Sequence, residues 1–175
     1  MLLWHLGGTA LIARYVFKDA AMDLRWLMLG ALLPDLIDKP IGSLLFVDTF
    51  DSHRLWGHTM LFPVVMLAVA MLAFRRGSAA RKNALAVVLG VFIHLLLDGA
   101  WLRPEGFLWP LFGFDFPRMA NHQLGELVRS MITNPMVIAG EVFGLAYLVL
   151  LWWRYLREPG GVARFMRRGR IPLRP

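Results

Sequence analysis

The sequence predicts an all-α, polytopic membrane protein, a bundle of about five hydrophobic helices with an interfacial aromatic loop. Three observations predict it: an apolar composition, long uncharged runs, and an ordered distribution of lysine and arginine. Of the 175 residues, 58% are hydrophobic and only 18% are charged, and the mean hydropathy is +0.55. This composition excludes intrinsic disorder, and the length suits one domain.

The predicted spans follow the apolar runs, and we place five crossings at 2–17, 24–37, 59–74, 83–102 and 135–153. Crossing a bilayer takes about 20 apolar residues, so 83–102 and 135–153 are long enough and 59–74 is marginal. We expect Pro34 to end or kink the helix over 24–37. A soluble bundle with buried helices remains the alternative.

The basic residues indicate an orientation for these crossings. Fourteen lie on one side, at 14, 18, 25, 75, 76, 81, 82, 154, 157, 164, 167, 168, 170 and 174, and five lie on the other, at 39, 54, 103, 118 and 129. The positive-inside rule places the larger group in the cytoplasm. We therefore expect a bacterial or archaeal cytoplasmic (inner) membrane protein with a cytoplasmic C-terminus.

The basic C-terminal segment divides the chain into a membrane-embedded domain, 1–153, and a cytoplasmic tail, 154–175. The tail has seven arginines and one glutamate. Anchoring at an anionic lipid surface explains these charges more simply than nucleic acid does, so membrane lipid is the expected partner and nucleic acid is not. The sequence carries no signal for an oligomeric state.

Ionisable residues inside the apolar runs point to a site. His94 and Asp98 are spaced i, i+4 on an apolar helix, and this spacing puts them on one face. Asp35 and Asp38 follow Pro34, and His53 and His58 reach one place only if the chain turns between them. The alternatives are a polar pair between helices, a helix cap, and histidines at the membrane interface.

All five histidines and the unusual acids fall on the outer side of the predicted topology. The candidate metal ligands are His5, Asp35, Asp38, His53, His58, His94, Asp98, His122 and Glu126. Because the chain has no cysteine, a metal must bind nitrogen and oxygen, a ligand set for zinc, with manganese or iron as alternatives. The first seven of these residues, from His5 to Asp98, are the first-choice ligands. Seven ligands exceed the four that one tetrahedral ion needs, so we expect two ions.

Four residues, three of these acids and the neighbouring Arg54, are candidates for catalytic roles. Asp35, Asp38 or Glu126, where not ligating metal, would act as a general base. The planar guanidinium of Arg54 suits a phosphate group, although it equally suits anchoring at the interface.

An aromatic stretch over 103–118 follows the apolar run 83–102. Phe112, Phe114 and Phe116 alternate, which is typical of an extended segment. We expect an outer-face loop or re-entrant hairpin, with an ordinary lid over helix ends as the alternative. Residues 107–116 would form an apolar wall beside the site, suited to an amphiphilic substrate.

The motifs together resemble a known family over residues 1–130. In order, they are His5, Leu33-Pro34-Asp35-x-x-Asp38, His53-Arg54-x-x-x-His58, His94-Leu-Leu-Leu-Asp98 and Leu108-Trp109-Pro110. This order resembles the bacterial membrane-bound metal-dependent hydrolases, the YdjM/YbcI-like inner-membrane proteins, and implies hydrolysis at a bound metal. The H-x-x-x-D and H-x-x-x-E pairs are distantly similar to zinc-dependent phospholipase C and the related zinc nucleases.

Residues and resemblance lead to one hypothesis and one rival. The hypothesis is a membrane-embedded hydrolase that uses metal-activated water on an amphiphile, above all a lipid phosphoester, at the outer face. The rival is a non-enzymatic membrane protein, either a metal transporter or a scaffold with a structural metal. A transporter would place its ligands near mid-bilayer, whereas these cluster toward one face.

Overall fold

The computed structural model describes residues 1–19, 21–119 and 123–171. These residues form an all-α structure with nine α-helices and no strand. The helices are α1 (Leu2–Ile12), α2 (Leu24–Pro40), α3 (Val47–Phe50), α4 (Leu61–Ala73), α5 (Ala79–Leu97), α6 (Pro104–Phe107), α7 (Leu124–Thr133), α8 (Pro135–Leu151) and α9 (Gly161–Arg168). The predicted all-α class is therefore confirmed, and each predicted crossing overlaps one of the helices α1, α2, α4, α5 and α8.

The starts of the long helices follow from local sequence. Asp23 and Ser78 precede α2 and α5, and their side chains accept hydrogen bonds from the N–H groups of Arg25 and Arg81. Asn134 does the same for α8, with Pro135 in the first helical position, where a missing N–H costs nothing.

Glycines set how closely the long helices pack. α2 crosses α5 at Gly30 and Gly90, where a Cβ atom would overlap a backbone carbonyl of the other helix. α1 meets α8 in the same way at Gly7 and Gly144. Small residues allow helix backbones to approach closely, which is how apolar helices gain packing where lipid removes the hydrophobic driving force. Both close crossings involve a helix that ends at the candidate site.

The structure corrects the expectation for Pro34. The helix does not end there: α2 runs on for six residues to Pro40, and a π-helical turn, Ile41–Leu45, follows. Asp35 and Asp38 therefore lie on one continuous helix. They do not occupy a segment that leaves the bundle.

The aromatic stretch is also less extended than its alternation suggests. It contains the short helix α6, followed by turns. Trp109 stacks on Phe116, with ring centroids 5.5 Å apart, and Phe116 packs edge-on against Trp56. The alternation was misleading because Phe116 packs inward on an aromatic cluster, whereas Phe112 and Phe114 are exposed.

Two described helical segments, Ala79–Leu97 and Pro135–Leu156, are long and apolar enough to cross a membrane. Of their most apolar windows, only 33% and 17% are buried by the rest of the chain. The core helix of a soluble protein would be mostly covered. α4 is apolar but shorter, and Leu72 near its end is 87% exposed.

Candidate metal centre

Three histidines from three separate elements meet at one end of the bundle. His5 comes from α1, His94 from α5, and His58 from a 3-10 turn, Trp56–His58, that leads into α4. The rings of His5 and His94 stack with centroids 4.0 Å apart, and the His58 ring lies edge-on to His94 at 5.1 Å. All three side chains are buried.

Each of these histidines uses its Nδ1 to contact an acceptor. His94 Nδ1 lies 2.7 Å from the Ala31 carbonyl oxygen, and His58 Nδ1 lies 2.7 Å from Asp38 Oδ2. His5 Nδ1 contacts the Met1 carbonyl. A carbonyl or carboxylate oxygen only accepts, so Nδ1 carries the proton in each neutral ring and Nε2 offers a lone pair. Metal-binding histidines are oriented by this type of outer contact.

The free Nε2 atoms converge with two carboxylates. His58 Nε2 lies 3.3 Å from His94 Nε2 and 3.5 Å from Asp35 Oδ1. His5 Nε2 lies 3.1 Å from Asp98 Oδ1. Two ligand sets follow, Asp35/His58/His94 and His5/His94/Asp98, and they share His94.

The residues present suit a divalent cation. Lone pairs on His58 Nε2 and His94 Nε2 face each other across 3.3 Å, and carboxylate oxygens face them from two sides. His5 Nε2 is buried without a hydrogen-bond partner. A positive charge between these atoms removes the repulsion between lone pairs and carboxylates. Imidazole with carboxylate is a donor set for zinc or another first-row transition metal.

Asp38 lies behind this cluster. Its carboxylate is fully buried and accepts from the N–H groups of Leu55, Gly57 and His58, in addition to His58 Nδ1. Both oxygens are thus engaged with the loop that carries His58. Asp38 was expected to be a ligand, and in this arrangement it positions one.

Two cations hold the carboxylates of the cluster. Lys39 Nζ lies 2.6 Å from Asp35 Oδ2, and Arg54 NH2 lies 2.7 Å from Asp98 Oδ2. In both cases the other oxygen, Oδ1, faces a histidine Nε2. The two pairs therefore orient one oxygen of each aspartate toward the cluster.

The two loop histidines differ in electrostatics. Burial, with Arg54 nearby, lowers the pKa of His53 to about 4. Burial would also lower the pKa of His58, but hydrogen bonds to Asp35 and Asp38 outweigh it and raise that pKa. A cation is therefore favoured at His58 and disfavoured at His53.

The remaining predicted residues are not brought into either ligand set. His53 lines the adjacent cavity, and its Nδ1 is buried without a partner. Glu126 is exposed on α7 and does not line that cavity. His122 lies outside the described residues. Sequence reasoning missed Lys39, which it counted only for topology, although its i, i+4 spacing from Asp35 could have revealed the ion pair.

A cavity of about 580 Å³ opens beside the cluster. Asp35, His58 and Asp98 line one part of it, and Phe107 and Pro117 line another. Of the apolar wall expected over 107–116, Phe107 lines the cavity, whereas Trp109 and Phe112 do not.

Comparison with known proteins agrees with the motifs. Neither the curated proteins nor the solved structures contain a significant match. The family model described as YdjM inner membrane protein matches residues 2–159, nearly the whole chain. This match confirms the resemblance inferred from the His and Asp motifs, and it extends beyond residue 130. The chain therefore belongs to the YdjM inner membrane protein family.

Proposed function

We propose that this protein is a membrane-embedded hydrolase that uses metal-activated water on an amphiphilic substrate, above all a lipid phosphoester. The observation that carries the proposal is the convergence of three bare Nε2 atoms and two carboxylates, part of which line a cavity of about 580 Å³. A purely structural metal would need no such opening, because structural sites are closed by their protein ligands.

The centre takes two divalent ions, zinc first, with manganese or iron as alternatives. Asp35, His58 and His94 would hold one ion, and His5 and Asp98 would hold the second, because the single lone pair on His94 Nε2 can bind only one ion. Each ion would have only two or three protein ligands, which leaves positions open for water and substrate. Ions held there would lower the pKa of a bound water to about 7 and polarise a phosphoryl or carbonyl oxygen.

The chain's own residues orient and tune this centre. Asp38 fixes the His58 ring through Nδ1. Asp35, which is partly exposed to the cavity, is the best-placed general base where it does not ligate. Glu126, exposed and outside the cavity lining, is a weaker candidate.

The membrane arrangement completes the proposal. Five helices cross the inner membrane, the cluster faces the outer side, and the C-terminus is cytoplasmic. Single-cysteine labelling tests this arrangement well, because the native chain has no cysteine. Asp48→Cys on α3 is exposed and should react with a membrane-impermeant reagent from outside, whereas Glu158→Cys should react only after lysis. The reverse pattern would invert the topology and place the cluster in the cytoplasm.

The decisive experiment combines metal analysis with turnover. Purified protein loaded with zinc or manganese should hold close to two ions. His94→Ala and Asp98→Ala should each lose at least one ion, while exposed Asp48→Asn keeps the native content. Phospholipids, prenyl diphosphates and lipid esters are then supplied with and without chelator.

Chelator-sensitive release of phosphate or a phosphorylated head group supports the phosphoesterase. A folded preparation without stoichiometric metal contradicts the proposal. Stoichiometric metal with no turnover of any of the three classes favours the non-enzymatic rival, a transporter or scaffold.

A further inference from the structure

The cavity beside the cluster carries an excess of positive side chains. Four cations line it, from Lys39, Arg54, Arg103 and Arg118, against two carboxylates, Asp35 and Asp98. Both carboxylates already face histidines of the cluster. A cleft lined by one sign of charge attracts ligands of the opposite sign, so this cavity favours an anion.

Three of the four cations are engaged. Lys39 pairs with Asp35, Arg54 with Asp98, and Arg118 Nε lies 3.5 Å from Asp51 Oδ2. Of these four cations, only Arg103 has a side chain with no hydrogen-bond or ion-pair partner among the described residues. It lies just after the 3-10 turn Ala100–Leu102, which follows Asp98. Arg54 was the expected phosphate ligand, but its NH2 already lies 2.7 Å from Asp98 Oδ2, so it has fewer free donors for phosphate than Arg103 has.

Another part of the cavity lining is apolar and comes from α7 and α8. Leu127 and Met131 are spaced i, i+4 on α7 and both line the cavity, joined by Val137 at the start of α8. The adjacent side of α7 exposes Val128 and Ile132. α7 therefore presents apolar side chains both to the cavity and to the outside of the protein, as expected of a helix in contact with lipid.

We infer that the cavity binds an anionic amphiphile, with its phosphate group on Arg103 and its acyl chain along Leu127 and Met131 of α7. Arg103 offers a planar fork of donors that matches phosphate bidentately, and no internal acid competes for it. Val128 and Ile132 directly follow these two residues on α7 and are exposed, which gives an acyl chain a route from the bilayer. This inference deepens the proposed function by assigning the residues that select its substrate.

The test measures binding in the absence of turnover. Full-length, chelator-treated protein in neutral detergent is titrated with three probes: dihexanoyl phosphatidic acid, inorganic phosphate and dihexanoyl glycerol. The wild type should bind phosphatidic acid at least about tenfold more tightly than either of the other probes, since only this probe has both the charge and the chains. Equal binding of inorganic phosphate and phosphatidic acid would remove the acyl-chain site.

Variants separate the two walls. Arg103→Gln should lower the affinity for phosphatidic acid about tenfold or more and leave dihexanoyl glycerol unchanged. Leu127→Ser should weaken phosphatidic acid and leave inorganic phosphate unchanged. Arg129→Gln, an exposed arginine of α7 that does not line the cavity, is the matched control.

Native affinity for phosphatidic acid in Arg103→Gln would overturn the assignment. Metal content and zinc affinity, measured on the same variants, should stay native. Binding is measured without metal and without turnover, so the two proposals can fail separately. This inference fails if Arg103→Gln binds phosphatidic acid as the wild type does. The hydrolase proposal fails if phosphatidic acid and the other substrates bind but are never cleaved.

Discussion

The two ends of helix α2 use aspartate differently. Asp23, just before the first turn, bonds to a neighbour in sequence, whereas Asp35 and Asp38, near the last turn, contact residues distant in sequence. Asp23 accepts from the backbone N–H and the guanidinium of Arg25, two residues away. Asp38 accepts from the loop around His58, twenty residues away. The same residue type thus caps a helix at one end and orients a histidine of the candidate metal centre at the other.

The difference between the two ends lies in what each aspartate leaves unsatisfied. Around Asp23 the charges are balanced within the chain, because Arg25 lies against the carboxylate at 2.6 Å and Leu24 N–H donates to the Gly169 carbonyl. Around Asp38 the hydrogen bonds are complete, but they fix His58 with its Nε2 facing other lone pairs. Internal balance at Asp23 indicates a structural role, whereas the facing lone pairs and carboxylates beside His58 indicate a site that could hold a cation.

Replacement of Asp38 should have the largest effect at either end of α2, and the effect should be on zinc affinity. Asp38→Asn keeps the size of the side chain but exchanges one acceptor oxygen for an NH2 donor that faces N–H groups. We expect zinc affinity to fall about 10- to 100-fold, the typical cost of losing an outer partner of a metal-binding histidine. Competition with a chromophoric chelator measures this affinity, and Asp48→Asn is the exposed control.

Stoichiometry separates positioning from ligation. At saturating zinc, Asp38→Asn should still bind as many ions as the wild type, since Asp38 belongs to neither ligand set. A lower number of ions at saturation would instead make Asp38 a ligand, as its spacing from Asp35 suggested. If Asp38→Asn bound zinc with native affinity, the His58 ring would need no carboxylate partner at Nδ1.

The sequence predicted the helices better than it predicted the roles of their polar residues. Apolar runs located the long helices because burial in lipid or protein demands uncharged stretches. The i, i+4 spacing of His94 and Asp98 correctly placed them in one ligand set, because helix geometry is local.

The roles of Asp35 and Asp38 depend on contacts distant in sequence. Both lie on one helix at i, i+3, so spacing alone does not say which of them faces His94. The loop over 52–58 decides, because it wraps Asp38 with three backbone N–H groups and leaves Asp35 Oδ1 toward the histidines. For the same reason the sequence could not show that Arg54 binds Asp98.

Replacement of Asp23 gives the smaller effect and tests the other end. Asp23→Ala removes an N-cap and should lower the free energy of unfolding by about 0.5–2 kcal/mol, with zinc affinity unchanged. Asp23→Asn, which can still accept at the cap, should cost less. Equilibrium unfolding in detergent micelles measures both. A change in zinc affinity would show that the two ends of α2 are coupled.

The pH dependence of Asp23→Asn sharpens this prediction. Burial acts to raise the pKa of Asp23, but the Arg25 side chain and backbone N–H outweigh it and hold that pKa below its usual value. Stabilisation by the charged carboxylate is therefore complete above the unfolded pKa of about 3.9 and is lost as the pH falls through the lower folded pKa. The stability difference between wild type and Asp23→Asn should be constant from pH 7 to about pH 5, shrink below pH 4, and be smaller in high salt, because the pair is partly exposed. A difference that persists unchanged into strong acid would mean that the carboxylate acts at this cap through shape and hydrogen bonding, with no contribution from its charge.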